Sequence, residues 1–437
     1  MERQHGLVSL SVLVNLAATS ILVATAETTL ITGIVWSISA LVSISYRLGL
    51  KNLHDPSVMV FWLGVLPSAL GLSSIPFSSY QPHHLATSLM WLSLGTYVAI
   101  IGVVDRPVGA IQLPTRAERA RLGWMGLVAS AATLGAAAVF FSQRGVTLLM
   151  FNAEQARVDA SSGAGPLLAI VHIGASLAVG AVVLSGVGQS RAARNVKLVL
   201  VALCLVAVAL TASRGALLKA LLVGVGAALA TRSWKSPLSR LVTVAAAAVL
   251  SAWLLGELRY AGGDTSFASL AVQRLAADPY SAGIVFDARS DPRVSGLHLF
   301  GTAFSTYLPG SQPLIGDILK SNANLSFAGG AIAVPLAAEG FLFLGVPGVV
   351  IFSGAAALVP VIIKKRIAPT VSGTLVGTVF GTTWAGVFGA GIATTVATYG
   401  VPAVVLGLAF YWTGLLLPIT SEPKTRTQIQ RSATTKD

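Results

Sequence analysis

Apolar runs of about 20 residues, the length at which a helix crosses a bilayer, succeed one another along nearly the whole chain. One long interval, from Glu257 to about Glu339, holds none. A chain patterned in this way is an all-α polytopic integral membrane protein. Hydrophobic residues make up 54% of it and charged residues 10%, which excludes an ordinary soluble domain. The net charge of +13 is scattered over short loops between apolar runs. There it acts as a topology signal and not as a nucleic-acid-binding stripe.

The candidate spans number about twelve. They are Gly6–Thr25, Thr29–Leu50, Val58–Pro76, Leu85–Val104, Leu122–Phe141, Gly165–Val187, Leu198–Ala212, Gly215–Ala230 and Leu241–Leu258, then Phe341–Ile363, Val371–Phe388 and Val401–Pro418. The first, with Arg3 ahead of it and Ala24-Thr25-Ala26 behind, also has the outline of a signal peptide; few breakers separate it from the next span, which favours retention. The chain thus divides into spans over 1–258, a long loop over 259–338 carrying short helices, spans over 339–418, and a basic tail over 419–437. Gly373, Gly377 and Gly381 make a small-residue ridge on the eleventh span that suits close packing within the chain. Cys204, the one cysteine, lies in an apolar run and reads as a small buried residue.

Lys and Arg concentrate in alternate loops: Arg47 and Lys51; Arg106, Arg116, Arg119 and Arg121; Arg191, Arg194 and Lys197; Arg232, Lys235 and Arg240; Lys364, Lys365 and Arg366; and the tail. By the positive-inside rule these face the cytoplasm, as do both termini, and the long loop is extracytoplasmic. Few cations are left outside, and nearly all are arginine: Arg144, Arg157, Arg214, Arg259, Arg274, Arg289 and Arg293, with Lys219 and Lys320. Topology disfavours them there, so binding an anion is the reason for their presence. Arg274 falls on the apolar face of a helix expected over Ser266–Ala277, reaching either a phosphate or a carboxylate such as Asp278 or Asp264. Asp287, Arg289, Asp291, Arg293 and His298 form a mixed-charge patch. His172, inside the sixth span, suits a helix-to-helix hydrogen bond, and the His83-His84 pair lacks a third metal ligand nearby.

Three segments carry a resemblance. Gly145-Val146-Thr147-Leu148-Leu149 with Glu154-Gln155-Ala156-Arg157 resembles the Gly-Ile-Pro-Leu…Glu-Ala-Arg segment of bacterial oligosaccharide repeat-unit polymerases of the O-antigen polymerase type. Thr147 stands where proline is frequent there, and Gln155 is an insertion. Ser213-Arg214-Gly215 resembles the Ser-Arg-Gly of the same polymerases and of O-antigen ligases. Glu339-Gly340-Phe341, followed by Gly345 and Gly348, resembles their Glu-x-Tyr…Gly-x-x-Gly helix start, although a carboxylate at that place also suits the dipole of its own helix.

The resemblance implies a glycosyltransferase of the bacterial cytoplasmic membrane, acting on its outer face on polyprenyl-pyrophosphate-linked oligosaccharide. A flippase and a chain-length regulator would be its pathway partners. Guanidinium groups grip phosphate oxygens in pairs and stabilise a diphosphate leaving group. Arg157 and Arg214 are the foremost catalytic candidates, with Arg144, Lys219, Arg274, Arg289, Arg293 and Glu154 lining the donor and glycan site. Glu154, Glu339 and His298 are candidates for the base that deprotonates the acceptor hydroxyl. No Asp-x-Asp motif is present, and neither a metal nor another cofactor is expected. Transfer of finished glycan, as in a ligase, differs only in the acceptor. The rival from another class is a transporter or lipid-linked oligosaccharide flippase, which would place charge near mid-membrane on broken helices.

Overall fold

The computed structural model of the chain describes residues 2–48, 55–78, 80–81, 83–106, 115–150, 164–185, 191–230, 267–305, 315–325, 332–366, 371–404 and 406. Among them every regular element is a helix and none is a strand. In chain order these are α1 (Glu2–Thr25), α2 (Leu30–Leu48), α3 (Pro56–Phe77), α4 (His84–Val104), α5 (Arg116–Arg144), α6 (Gly165–Ser185), α7 (Arg191–Leu210), α8 (Arg214–Ala230), α9 (Phe267–Asp287), α10 (Gly296–Ser305), α11 (Ile315–Asn322), α12 (Leu336–Arg366), α13 (Val371–Trp384) and α14 (Val387–Val404). Seven contain windows long and apolar enough to cross a membrane: α3 to α7, α12 and α14. Shorter apolar stretches lie in α1, α2 and α8. The chain is therefore an all-α, multi-pass membrane protein. The expected ninth span, Leu241–Leu258, and the basic tail lie outside the described residues.

Caps fix where several of these helices begin. Asp55 accepts a hydrogen bond from the Ser57 amide (2.9 Å) and Pro56 occupies the first position of α3. His83 Nδ1 accepts from the Ala86 amide (3.1 Å) at the start of α4. Thr115 and Glu118 form a reciprocal capping box. That box starts α5 well ahead of the apolar run beginning at Leu122.

The helices pack through polar links and small residues, as expected where lipid removes the hydrophobic drive between them. Asn15 Nδ2 donates to Ser39 Oγ (2.8 Å) and Trp36 Nε1 to Thr19 Oγ1 (2.9 Å), which aligns α1 antiparallel to α2. Thr19 fills the notch at Gly95 of α4, and Ser73 of α3 fills the one at Gly33 of α2. Ser93 and Ser353 share a hydrogen bond (2.7 Å) and, further along both helices, Asp105 meets Lys364, so α4 and α12 run side by side in the same direction. Trp36, Trp91, Tyr97, Phe61, Phe286 and Phe388 belong to the larger core, while α5 to α8 and α13 enclose a smaller one around Cys204, Val208, Val223 and Leu375. Gly381 of the small-residue ridge abuts Pro56 and Met59 of the same chain. Leu13, Ile31 and Val199 point outward, as a lipid-facing surface requires.

One end of the bundle is closed by a buried ion triad. Lys364 Nζ lies 2.8 Å from Asp55 Oδ2 and 2.6 Å from Asp105 Oδ1. Both aspartates are fully buried and the lysine side chain is 10% exposed. Burial pushes the Asp55 carboxyl above its ordinary range, Lys364 pulls it back, and Asp105 pushes it up again. Lys364, expected from the sequence to be a loop charge, ties the end of α12 to the flanks of α3 and α4.

Two expectations about the chain's course need correction. The helix expected over Ser266–Ala277 extends over Phe267–Asp287 as α9 and packs along α3. The Leu275 carbonyl and Pro279 sit in the notch left by Gly71. Tyr280 stacks on Tyr80 (4.1 Å between centroids) and His83 Nε2 lies 3.2 Å from Asp287 Oδ1, binding α9 to the segment that leads into α4. The second correction concerns the last spans. The eleventh ends at Trp384, four residues early, and residues 389–400, expected as a loop, are helical within α14. Their glycines resemble turn signals, yet they allow a helix to break and resume inside the bundle.

Candidate functional site

Two broken helices meet inside the bundle. α12 is interrupted at Leu344–Gly345, where Gly345 has φ +66°. Residues eight apart in a straight helix stand about 12 Å apart, but a Cβ placed on Gly340 would lie 2.6 Å from the Gly348 carbonyl oxygen. The chain therefore folds back, and Leu336–Phe343 hangs as a half-helix beside the main body of α12. Ser353, five residues beyond Gly348, pairs with Ser93 near the middle of α4. Glu339, expected at the outer end of the tenth span, is thus drawn inward and is fully buried.

The second break lies in α14 at Gly391 (φ +74°). A helix that restarts exposes backbone N–H groups and a partial positive charge. The Glu339 carboxylate accepts hydrogen bonds from the Ala393 amide (2.9 Å) and the Ile392 amide. It serves the dipole of a neighbouring helix and not that of its own. A Cβ on Gly391 would stand 2.6 Å from Glu339 Oε2 and 2.9 Å from the Val334 carbonyl, so glycine is required here for space as well as for φ.

Other polar groups flank the same stretch. Asp278 of α9 faces Gly389, where a Cβ would come within 2.7 Å of Oδ2. Lys219 of α8 places Nζ over the Tyr399 ring, 4.6 Å from its centroid. A Cβ on Gly386 would be 3.9 Å from that Nζ and 3.7 Å from Thr395 Oγ1. The depth is set by Gly64, near the middle of α3, which is in contact with Ala385 and Phe388. Three charged side chains from α8, α9 and α12 therefore converge on a glycine-bearing segment in mid-bundle.

The remaining sequence candidates are placed as follows. Arg144 ends α5 and is exposed. Just after it, Gly145 (φ +75°) turns the chain, and Thr147, fully buried, donates its hydroxyl to the Leu210 carbonyl (3.0 Å). That bond sets the Gly145–Leu149 segment against the turn that leads into Arg214. Glu154 and Arg157 lie outside the described residues, as do the side chains of Arg214 and Arg274. Arg293 forms a forked pair with Asp291 (3.1 and 2.8 Å), which Asn322 also supports (2.8 Å). This pairing holds the Asp291 carboxyl well below its usual range and raises the guanidinium. Arg289 donates to the Phe286 carbonyl (3.3 Å). These two arginines are thus engaged at the surface. His298 lies on α10, which packs against α12 and α14, and its Nε2 is buried without a hydrogen-bond partner. Thr395, Tyr399 and Gly391 were not among the sequence candidates; the spacing of Gly386, Gly389 and Gly391 within an apolar stretch was the available signal.

The fold defines a helical multi-pass membrane protein with paired broken helices. No protein-family model matches the chain, and neither does any curated protein or solved structure with which it was compared.

Proposed function

We propose that the protein is a membrane glycosyltransferase that polymerises polyprenyl-pyrophosphate-linked oligosaccharide repeat units on the outer face of a bacterial cytoplasmic membrane. The proposal includes about twelve spans, cytoplasmic termini, and a long outer loop that roofs the site. The observation that carries it is the hydrogen bond from Thr147 to the Leu210 carbonyl, which sets the first resembling segment against the end of the helix that leads into the second. The third is linked to them through α14, since Lys219, five residues beyond Arg214, and Glu339 both contact that helix.

In this reading Arg157 and Arg214 hold the pyrophosphate and stabilise it as it leaves, which a planar fork does and a lysine does not. Glu339 has its oxygens committed to two backbone amides, so it acts as a positioning residue that fixes α14. His298, with an unpartnered ring nitrogen, is the better base for the acceptor hydroxyl. A ligase would use the same parts with another acceptor. The second reading, a transporter or flippase of lipid-linked oligosaccharide, is favoured by one observation: Glu339 and Lys219 lie in mid-bundle at a broken helix.

The test is deletion of the gene, inspection of surface glycan length on a gel, and complementation with Arg157→Lys and Arg214→Lys at matched protein levels. The deletion and both variants are expected to show single-repeat glycan. Long polymer made by the double variant would overturn the site, and repeat units accumulating on the inner leaflet would favour the flippase.

A further inference from the structure

Around Gly386, Lys219, read from the sequence as a donor-site residue, meets Thr395 and Tyr399, to which the chemistry proposed above gives no part. Hydroxyls on the neighbouring helix follow the usual habit of bonding back along it: Thr378 Oγ1 donates to the Thr374 carbonyl, and Thr382 and Thr383 both donate to that of Val379. Thr395 does not. The residue one turn before it is Gly391, where the helix is broken, so the carbonyl it would bond to is turned away. Its Oγ1 is buried without a partner, and the residue is 3% exposed.

Lys219 reaches the same place from α8. Among the described residues no carboxylate lies within ion-pair distance of it. The Tyr399 ring under Nζ holds the ammonium in position by a cation–π contact. Gly386 lies beside these groups without a side chain of its own: the position its Cβ would take is 3.9 Å from Lys219 Nζ, 3.7 Å from Thr395 Oγ1 and 3.2 Å from the Thr383 carbonyl oxygen of the same turn. An ammonium and a hydroxyl therefore come close to one position in the middle of an apolar bundle.

We infer that Lys219, Thr395 and Tyr399 form a binding site for a single monoanionic group, a carboxylate being the class that fits. One ammonium matches one negative charge, and with Asp278 and Glu339 already at Gly389 and Gly391 any further buried negative charge is strongly unfavourable. A diphosphate would bring at least two charges to a place where, among the described residues, no guanidinium fork meets it. The two donors suit the two oxygens of a planar carboxylate, with Lys219 supplying charge and Thr395 direction. Tyr399 is a positioning residue for the lysine. The site does not depend on glycan transfer: an acidic sugar would carry the group into an enzyme or a transporter alike, and so would a small carboxylic acid.

The experiment uses the full chain in lipid nanodiscs, with thermal unfolding followed by tryptophan fluorescence. Methyl glucuronide, the neutral methyl glucoside, acetate, phosphate and pyrophosphate serve as probes. A saturable rise in Tm is expected with the glucuronide and none with the glucoside; a rise with acetate as well would identify the carboxylate alone as sufficient. Lys219→Met should abolish the shift. Thr395→Val, nearly the same shape, should weaken apparent affinity by about tenfold while leaving the ligand-free Tm close to that of the parent. The inference is overturned if no carboxylate shifts the parent protein, if Lys219→Met responds as the parent does, or if pyrophosphate binds more tightly than the carboxylates. Because binding is read without reference to glycan length, failure of the carboxylate site leaves the polymerase reading standing, and failure of the arginine variants to shorten the glycan leaves the carboxylate site standing.

Discussion

Replacing Lys364 by Met removes the one ammonium held between two fully buried carboxylates, Asp55 at 2.8 Å and Asp105 at 2.6 Å. Both aspartates must then remain charged in the core or take up protons. Protonating a carboxyl of ordinary pKa near 4 at pH 7 costs about 4 kcal/mol, at about 1.4 kcal/mol per pH unit. Relaxation and water penetration reduce the combined penalty, and breaking buried pairs by removing one partner costs about 3–5 kcal/mol. That is the destabilisation expected for Lys364→Met at neutral pH, measured by thermal or denaturant unfolding in detergent micelles. Its pH dependence carries the diagnosis. Without the ammonium, Asp55 loses the partner that pulls its raised carboxyl back, so stability is retained at low pH and lost as pH rises through its folded value. The deficit should therefore shrink between pH 7.5 and pH 5. Asp55 is already raised in the parent, which gives the parent a weaker trend of the same sign. Combining Lys364→Met with Asp55→Asn and Asp105→Asn should restore most of the stability. A variant as stable as the parent, or a deficit that does not change with pH, would refute the argument.

Other perturbations follow from the same geometry. Gly391→Ala forces a side chain into φ +74° with a Cβ 2.6 Å from Glu339 Oε2; a loss of about 1–3 kcal/mol is expected, and an unchanged unfolding midpoint would contradict the break. Glu339→Gln keeps one acceptor but turns an amide N–H₂ toward backbone donors, so about 1–3 kcal/mol should be lost, with amide exchange at Ile392 and Ala393 speeding up. His83→Ala removes the cap of α4, for about 1 kcal/mol. Asp287→Asn, which touches only the exposed side of that contact, should cost less; equal losses would mean that the cap is not what matters.

Much of the helical layout is legible in hydropathy. α3, α4 and α6 begin and end within two residues of the runs read from the sequence, and where Asp55 and His83 cap the starts the reason is visible as well. α5 exceeds its run because a capping box nucleates a charged turn that hydropathy does not register. The breaks in α12 and α14 were not legible: a glycine in an apolar run looks the same whether it serves packing, a turn or a positive φ. The role of Lys364 was hidden by distance, since Asp55 lies 309 residues away along the chain. Glu339 was singled out by resemblance, but its partners are amides, which carry no mark of residue type.

The bond between Glu339 and the restart of α14 also constrains how the protein is made. Glu339 leaves the ribosome some fifty residues before the two amides that receive it (|i−j| of 53 and 54). Until they arrive, its half-helix carries a carboxylate that lipid will not solvate. Settling of that half-helix must therefore wait for the C-terminal helices. A chain cut before Gly391 should insert its earlier spans yet hold Leu336–Phe343 outside the bundle, exposed to protease.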